Sequence, residues 1–253
     1  TRVDMGSLDL AKDNVFCKFC GARLDYVHYF YGQLGHYSCT KCRFKRPDPD
    51  FKAHIQDFEH KRELTVIGSH DFKVIRDFNT NDTYSIYNTL AAVSVGSLLG
   101  NTAETVEKGL ENYRPQVGRM ERFFIGKPIT LNLAKNPVGF NESMKMVRQD
   151  ARWKVVAIGI NDMPQDGRDV SWLWDTNFEI LLEMDDTTVN YVVFGRRRYD
   201  MALRLKYAGI DEGKLTISET IEDAIDEAVG AQSDVAYILL NYSLLFETQK
   251  ILK

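Results

Sequence analysis

The chain has 253 residues, of which 44% are hydrophobic and 27% are charged, and its formal net charge is -4. These values are ordinary for a globular protein and leave room for one large or two modest domains beside a small module. The negative charge argues against a protein that coats nucleic acid, although it permits a local basic patch such as residues 43–46. No apolar run is long enough to span a membrane, and the first residues lack the apolar core of a secretory signal. We therefore expect a cytoplasmic protein.

Four cysteines form two C-x-x-C pairs, Cys17 with Cys20 and Cys39 with Cys42, separated by 18 residues. This spacing lets both thiolates of a pair point at one ion, and four thiolates complete the tetrahedral coordination that zinc prefers. The separation has the length of a β-hairpin, which predicts a zinc ribbon over residues 14–48. Because four thiolates leave no ligand position open to water, the site is structural. Two disulfides are the alternative, but they fit poorly in a chain without an export signal.

His28 and His36 lie on the two arms of the predicted hairpin. Both are possible zinc ligands by residue type, but four cysteines already complete the site. We interpret the histidines as residues of the hairpin face. The basic run at residues 43–46 is interpreted as a solvated tip of the ribbon.

After the ribbon, the sequence predicts short strands at 63–67 and 72–75, then a helix of small apolar residues at 90–99. A second helix begins after Asn101-Thr102, a plausible N-cap, and ends near residue 112. Pro115 marks a hinge, and strands and helices alternate beyond it. The predicted strands are 129–133, 154–160, 189–194, 215–217 and 235–240, and the predicted helices are 141–149, 198–207, 221–229 and 243–252; residues 172–182 fit a strand or a helix. This alternation predicts a doubly wound, largely parallel sheet from about residue 116 onward.

The most unusual segment is the loop at residues 161–175, after the buried strand 154–160. It contains four aspartates, an arginine and two tryptophans within 15 residues. It follows the carboxyl end of a strand, where open α/β sheets bind ligands. Carboxylates at this place suit a nucleotide or metal contact, or the orientation of a histidine. The alternative is a solvated connection that contributes two tryptophans to the core.

Three weaker segments also follow or precede predicted elements. Lys135 comes just after the strand 129–133 and suits a phosphate contact, although a surface lysine is the default interpretation. The segment 118–121 is by default a turn, and Asn88 is by default part of a helix cap, although its amide suits a base or ribose. The sequence contains no G-x-x-x-x-G-K-[ST] loop, no G-x-S-x-G elbow and no H-E-x-x-H motif.

Together these segments resemble the Mur ligase family. Residues 87–92 are similar to the asparagine and alanine-rich helix that close the ATP-binding central domain of that family. Residues 118–121, Gly-Arg-Met-Glu, are similar to the element that opens the C-terminal domain of the family. Residues 134–137 are similar to the Ala-His-Asn-Pro segment of the family, with Lys135 in place of the histidine. The cysteine ribbon and the 161–175 loop narrow the resemblance to the ligase-like subunit of lipid II isoglutaminyl synthases. The resemblance covers residues 14–253.

The resemblance implies an α/β, Mur ligase-like fold with a doubly wound C-terminal sheet. Residues 1–13 are then a junction, 14–48 a zinc ribbon inserted in a partial central domain, 49–115 the remainder of that domain, and 116–253 the Rossmann-like C-terminal domain. In this family the phosphate-binding loop and the metal-binding acidic residue precede the ribbon. We therefore expect a fragment that does not turn over ATP by itself.

The implied activity is ATP- and magnesium-dependent amidation of the α-carboxyl of D-glutamate in lipid II, at the inner face of a bacterial membrane. Ammonia is implied to come from a GatD-type class I glutaminase in a heterodimer. The implied nucleotide-side residues are Asn88, Arg119, Lys135, Asn136 and Asp162.

An aspartate of the C-terminal domain is implied to complete the Cys-His pair of the glutaminase partner. Asp175 is the first choice and Asp169 the second, the alternative being that either residue only caps a helix. Two other classes of protein stay open: a zinc-ribbon adaptor or nucleic-acid-binding protein, and a purely structural interaction module. The acidic pI of about 5.8 argues against nucleic-acid binding.

Overall fold

The computed structural model describes residues 15–31, 34–58, 61–68, 72–77, 83–113 and 118–253. The predicted junction at 1–13 and the predicted hinge at Pro115 lie outside these residues. The chain divides into two compact units, with the main boundary between Arg114 and Pro115. Within the described residues, no helix is long and apolar enough to cross a membrane.

The first unit begins with an antiparallel hairpin of β1 (Leu24–Tyr31) and β2 (Leu34–Cys39). The strands pair from Leu24 opposite Cys39 to Tyr31 opposite Leu34, with two irregularities in register. Two isolated bridges, Phe16 with Arg23 and Ser38 with Lys45, extend the hairpin at its cysteine end. The hairpin therefore brings the two C-x-x-C pairs to the same end of the ribbon.

The rest of the first unit is a three-stranded antiparallel sheet with two helices. The elements are β3 (Lys52–Phe58), β4 (Lys61–Ile67), β5 (Lys73–Asp77), α1 (Thr83–Leu98) and α2 (Ala103–Asn112). Leu64, Val66 and Val74 of the sheet form a small core with Val93 of α1. Strand β3 was absent from the sequence prediction, and α1 begins at Thr83 rather than at residue 90. The predicted N-cap is present, since the Thr102 side chain accepts a hydrogen bond from the Thr105 amide.

The second unit is built on a six-stranded sheet. Its strands are β6 (Glu121–Ile125), β7 (Lys127–Leu133), β8 (Lys154–Gly159), β9 (Thr188–Phe194), β10 (Leu215–Ile217) and β11 (Val235–Leu240). They lie in the order β10-β9-β8-β11-β7-β6, and every pair is parallel except β6 with β7. This arrangement confirms the predicted α/β class and largely parallel sheet. The antiparallel edge strand β6 is an addition to the prediction.

Helices cover both faces of this sheet. They are α3 (Pro137–Gln149), α4 (Arg198–Tyr207), α5 (Ile221–Gly230) and α6 (Tyr242–Leu252). One face is packed by residues such as Phe140, Ile158 and Tyr191, and the other by residues such as Val155 and Leu245. Because both faces are buried, every residue of β8 and β11 is buried, which explains their nearly continuous apolar sequences.

Between β8 and β9 the chain forms two 3-10 helices, at Ser171–Trp174 and Phe178–Thr187. The sequence predicted either a strand or a helix for residues 172–182. The side chain of Arg204, which is 4% exposed, fixes this region from α4. Its guanidinium donates hydrogen bonds to the carbonyl oxygens of Leu173 (3.1 Å) and Thr176 (2.8 Å) and to the carboxylate of Glu179 (2.9 Å). A buried cation therefore satisfies the carbonyls that 3-10 geometry leaves free.

The Asp150 carboxylate, just after α3, ties that helix to β11. It accepts hydrogen bonds from the Tyr237 hydroxyl and from Arg152, both at 2.6 Å. Burial by itself would raise the pKa of Asp150, but the hydrogen bonds from Arg152 and Tyr237 outweigh it and hold the pKa well below its usual range. Since the folded-state pKa is depressed, the stabilisation is present above the unfolded-state pKa and is lost as pH falls toward the folded value.

We expect the free energy of unfolding to fall by about 1 kcal/mol more in the wild type than in Asp150→Asn between pH 7 and about pH 3. Urea unfolding at the two pH values measures this difference. Asp226→Asn, at an exposed position of α5, is the control and should retain the wild-type pH dependence. Equal pH dependence in the wild type and Asp150→Asn would contradict the assignment.

Candidate functional site

The four cysteine thiols of the ribbon form one compact group. All four sulfur atoms lie within 4.8 Å of one another, with Cys17 Sγ 3.6 Å from Cys42 Sγ and Cys20 Sγ 3.5 Å from Cys39 Sγ. A tetrahedral zinc ion with Zn–S bonds of about 2.3 Å requires sulfur atoms about 3.8 Å apart. The four thiols are free rather than disulfide-bonded. The predicted grouping of the four cysteines is confirmed, and this donor set fits a closed zinc site.

Two backbone amides beside Cys39 favour the thiolate form of that residue, the form that a metal requires. The amides of Lys41 and Cys42 each donate to Cys39 Sγ at 3.3 Å. The Lys41 amide is the largest cause of a shift that lowers the pKa of the Cys39 thiol to about 6. His28 and His36 lie on the hairpin with their rings 6.5 Å apart. Among the described residues, the group of possible metal ligands contains the four cysteines and neither histidine.

In the second unit, hydrogen bonds join the carboxyl ends of three strands. The amide of Asn161, after β8, donates to Asn241 Oδ1 (3.1 Å), and Asn241 Nδ2 donates to the Asn161 carbonyl oxygen (2.7 Å). The Asn161 side chain also donates to Ser243 Oγ (2.9 Å) and accepts from the Arg196 amide (2.8 Å). We call Asn161, Asn241 and Ser243 the asparagine clasp. The clasp fixes the start of the 161–175 loop to the ends of β9 and β11.

Gly195 allows the chain to turn tightly at the end of β9. Its φ is +88°, and a Cβ atom there would lie 2.6 Å from the Ile160 carbonyl oxygen. Only glycine fits this turn without displacing the backbone of the neighbouring strand. The turn places Arg196 and Arg197 over the start of the 161–175 loop.

Asp162 is held by these two arginines. Its Oδ2 lies 2.8 Å from Arg197 Nη2, and its Oδ1 lies 3.1 Å from Arg196 Nε. Burial would raise the pKa of the Asp162 carboxyl, but the hydrogen bond and charge of Arg197 dominate and lower it. Sequence reasoning missed both arginines, although three consecutive arginines directly after a buried strand were a usable signal. Their guanidinium groups are partly exposed at the sheet edge where ligands bind in this class of fold.

The two aspartates proposed for the partner differ in what they contact. Asp169 Oδ1 accepts a hydrogen bond from the Ser171 amide at 2.8 Å, which lowers the pKa of Asp169. It therefore closes a tight turn onto the first residue of the first 3-10 helix. Asp175 ends the same helix, where its own amide donates to the Trp172 carbonyl oxygen at 3.1 Å. The Asp175 side chain is exposed, and none of the described residues donates a hydrogen bond to it.

Exposed aromatic side chains lie beside Asp175. Trp174 is 54% exposed and contacts Tyr207 of α4, which is 70% exposed, edge to face at 5.5 Å between ring centroids. The buried guanidinium of Arg204 lies 5.5 Å from the Trp174 ring. Asp175 thus presents an exposed carboxylate, without a partner among the described residues, on a backbone that Arg204 and the 3-10 hydrogen bonds hold in place.

The other residues predicted for the nucleotide side lie in different elements of the fold. Lys135 is exposed after β7, and Asn136 caps α3, its Oδ1 accepting from the Gly139 amide at 2.8 Å. Arg119 is exposed in a turn that is attached to β7 by the hydrogen bond from the Leu133 amide to the Gly118 carbonyl oxygen (2.7 Å). These three residues and Asp162 share the carboxyl edge of the sheet, whereas Asn88 is exposed on α1 in the first unit.

Solved structures with the same fold define the class. A pseudomurein peptide ligase type C from Methanothermus fervidus matches 94% of this chain and 49% of its own, with a TM-score of 0.67 and 19% identity. MurF from Acinetobacter baumannii matches 79% of this chain and 45% of its own, with a TM-score of 0.56 and 15% identity. A Mycobacterium tuberculosis folylpolyglutamate synthase solved with ADP and AMPPCP matches 81% of this chain and 48% of its own, with a TM-score of 0.56 and 17% identity. The chain has the Mur ligase-like fold, as predicted.

The sequence comparisons are more particular. Residues 133–245 match the model of the MurT ligase C-terminal family. The MurT subunit of the glutamine-hydrolysing lipid II isoglutaminyl synthase of Streptococcus pneumoniae is 31% identical over 99% of this chain and 56% of its own length. The corresponding subunit of Staphylococcus aureus strain COL is 36% identical over 78% of this chain and 43% of its own. The chain spans about half the length of these curated relatives.

Proposed function

We propose that this chain is part of a ligase subunit that amidates the α-carboxyl of D-glutamate in lipid II, giving D-isoglutamine. The observation that carries the proposal is the match of residues 133–245 to the MurT ligase C-terminal family, within which the Asp175 carboxylate is exposed. ATP and magnesium are used by the full-length protein, and a GatD-type class I glutaminase supplies ammonia. The subunit acts in the cytoplasm at the inner face of a bacterial membrane, where its substrate is anchored.

The domain arrangement belongs to the same proposal. Residues 14–48 are a zinc ribbon inserted in the central ligase domain, 49–115 the remainder of that domain, and 116–253 the C-terminal domain. The boundary between the two compact units, after Arg114, supports the last division.

The proposed reaction has two chemical steps. The carboxylate of D-glutamate attacks the γ-phosphorus of ATP, which releases ADP and gives an acyl phosphate. Ammonia then attacks the acyl carbon, phosphate leaves, and a proton is lost from nitrogen to give the amide. Phosphorylation replaces a poor leaving group by a good one, and the ligase stabilises the charge that develops on the phosphoryl oxygens.

The residues at the carboxyl edge of the sheet are proposed for the nucleotide side. Arg119 and Lys135 are exposed cations that suit phosphate, and Asn136 and Asp162 lie after β7 and β8. Asn88 contributes an amide from α1. Asp162 already pairs with Arg197. The nucleotide would therefore contact Asp162 either through Arg197 or by taking the place of Arg197.

For the partner, Asp175 is proposed as the third member of the Cys-His pair. A carboxylate in this role accepts the imidazole Nδ1–H and holds the tautomer that activates the cysteine. Asp175 is favoured because its side chain is exposed and has no hydrogen-bond partner among the described residues, whereas the Asp169 carboxylate already accepts from the Ser171 amide.

Reconstitution with a class I glutaminase tests the proposal. The chain should co-purify with the glutaminase and raise the rate of glutamate release from glutamine above that of the glutaminase alone. A protein that joins this chain to the phosphate-loop region should convert lipid II, ATP and glutamine into amidated lipid II, detected by mass spectrometry. Failure to bind the glutaminase, together with DNA binding that weakens steeply with salt, would favour a nucleic-acid-binding protein instead.

A further inference from the structure

The end of the ribbon that holds the cysteines exposes two phenylalanines. Phe16 is 63% exposed and Phe19 is 71% exposed. Phe19 also contacts Phe44 edge to face, with 5.2 Å between ring centroids. We call the surface formed by residues 16–23 and 40–45 the metal end of the ribbon. Aromatic side chains are therefore available for contact at one end of this small module.

The same surface is strongly basic. It has five basic side chains and no acidic one, and all five basic side chains are exposed: Lys18, Arg23, Lys41, Arg43 and Lys45. The Lys18 ammonium lies 5.2 Å from the Phe19 ring and 5.3 Å from the Phe44 ring. A zinc ion bound by four thiolates has a formal charge of about -2, which the five cations outweigh. The metal end is therefore positive in a chain whose net charge is -4.

Hydrogen bonds to the backbone hold the two segments of the metal end together. The amide and hydroxyl of Thr40 both donate to the Arg23 carbonyl oxygen, at 3.4 Å and 3.0 Å. The Cys39 amide donates to the Phe44 carbonyl oxygen at 2.7 Å. The two segments are also joined by the cysteine group itself, so the surface depends on the metal site.

We propose that the metal end of the ribbon binds an anionic lipid surface. Phe16 and Phe19 enter the headgroup region, and the basic side chains lie against lipid phosphates. Exposed aromatic residues among clustered cations are the chemistry of interfacial binding, and the two exposed phenylalanines favour a lipid interface over a purely ionic partner. This inference goes beyond the proposed function, which requires only that a membrane-anchored substrate be reached.

Vesicle flotation of the zinc-loaded chain tests the inference. Binding is expected to vesicles of phosphatidylglycerol and phosphatidylcholine in equal parts, to weaken with salt, and to be absent with phosphatidylcholine alone. Phe16→Ser with Phe19→Ser should weaken it about tenfold, since the inserted apolar area is lost. The triple variant Lys18→Gln, Lys41→Gln and Arg43→Gln should weaken it about 100-fold, since each cation near an anionic surface contributes about fivefold.

Matched variants elsewhere provide the controls. Phe124→Ser with Phe246→Ser removes two phenylalanines that are 73% and 57% exposed, and should leave binding unchanged. The triple variant Lys52→Gln, Lys73→Gln and Lys250→Gln controls for net charge. Zinc content is measured for every variant, so that loss of folding is recognised.

Equal binding to uncharged vesicles, or equal losses in the control variants, would overturn the inference. So would tighter binding to a DNA duplex than to the anionic vesicles. Flotation uses neither ATP nor the glutaminase, so its failure is distinct from a failure of the proposed ligase function.

Discussion

Asn in place of Asp175 is expected to lower glutamine hydrolysis by the complex with a class I glutaminase about 10⁴-fold. The amide cannot hold the partner's imidazole in the required tautomer or stabilise its protonated form. Assembly should persist, because the Asp175 side chain is exposed and receives no hydrogen bond from the described residues. Glutamate release measures the first effect, and co-purification measures the second.

Asp169→Asn separates the two candidate aspartates. An asparagine Oδ1 still accepts from the Ser171 amide, so this variant should keep its local structure and most of its activity. Asp226→Asn, on α5, controls for the loss of one negative charge. A large loss in Asp169→Asn with normal activity in Asp175→Asn would transfer the role to Asp169. Normal activity in both variants would contradict the triad proposal.

Removal of the metal is expected to unfold the ribbon. Structural zinc sites contribute about 10–16 kcal/mol of apparent binding free energy, and the ribbon has little else to replace it. Within its described part, residues 15–31 and 34–48, the buried hydrophobic side chains among those described are Cys17 and Leu24. Cys39→Ser, or a chelator, should release the zinc and abolish amide hydrogen-exchange protection in β1 and β2.

The double variant His28→Asn with His36→Asn is the control for this experiment. It should retain one zinc ion and the protection of β1 and β2, since neither ring belongs to the cysteine group. Protection of β8 and β11 should persist after chelation, because their core is separate from the ribbon. A ribbon that stays protected without metal would show that hairpin packing is sufficient for folding.

The features that were predicted correctly depend on residues that are close together in the sequence. The C-x-x-C spacing fixes the direction of two thiolates, and the continuous apolar runs of β8 and β11 follow from burial on both faces. Strand β6 was missed because it is an edge strand of alternating, only partly buried residues. The 3-10 helices were not predictable in the same way, since Arg204 stabilises them from α4.

The contacts of Asp162 could not be predicted for the same reason, because they join residues that are distant in the sequence. Arg197 and Asp162 are 35 residues apart, and only the turn at Gly195 brings them together. The loop composition predicted a cluster of carboxylates but not which of them would be neutralised. Asp169 and Asp175 look alike in sequence, and their difference depends on whether a backbone amide is within reach.

The 161–175 loop is attached at both of its ends, by the asparagine clasp at the start and by Arg204 at the carbonyl oxygen of Leu173. A partner that docks against Asp175 therefore meets a segment that is already ordered. Little conformational entropy remains to be lost on association, so the encounter can proceed as a rigid-body docking step. Its rate would then depend on diffusion and mutual orientation, without a slow folding step in the loop.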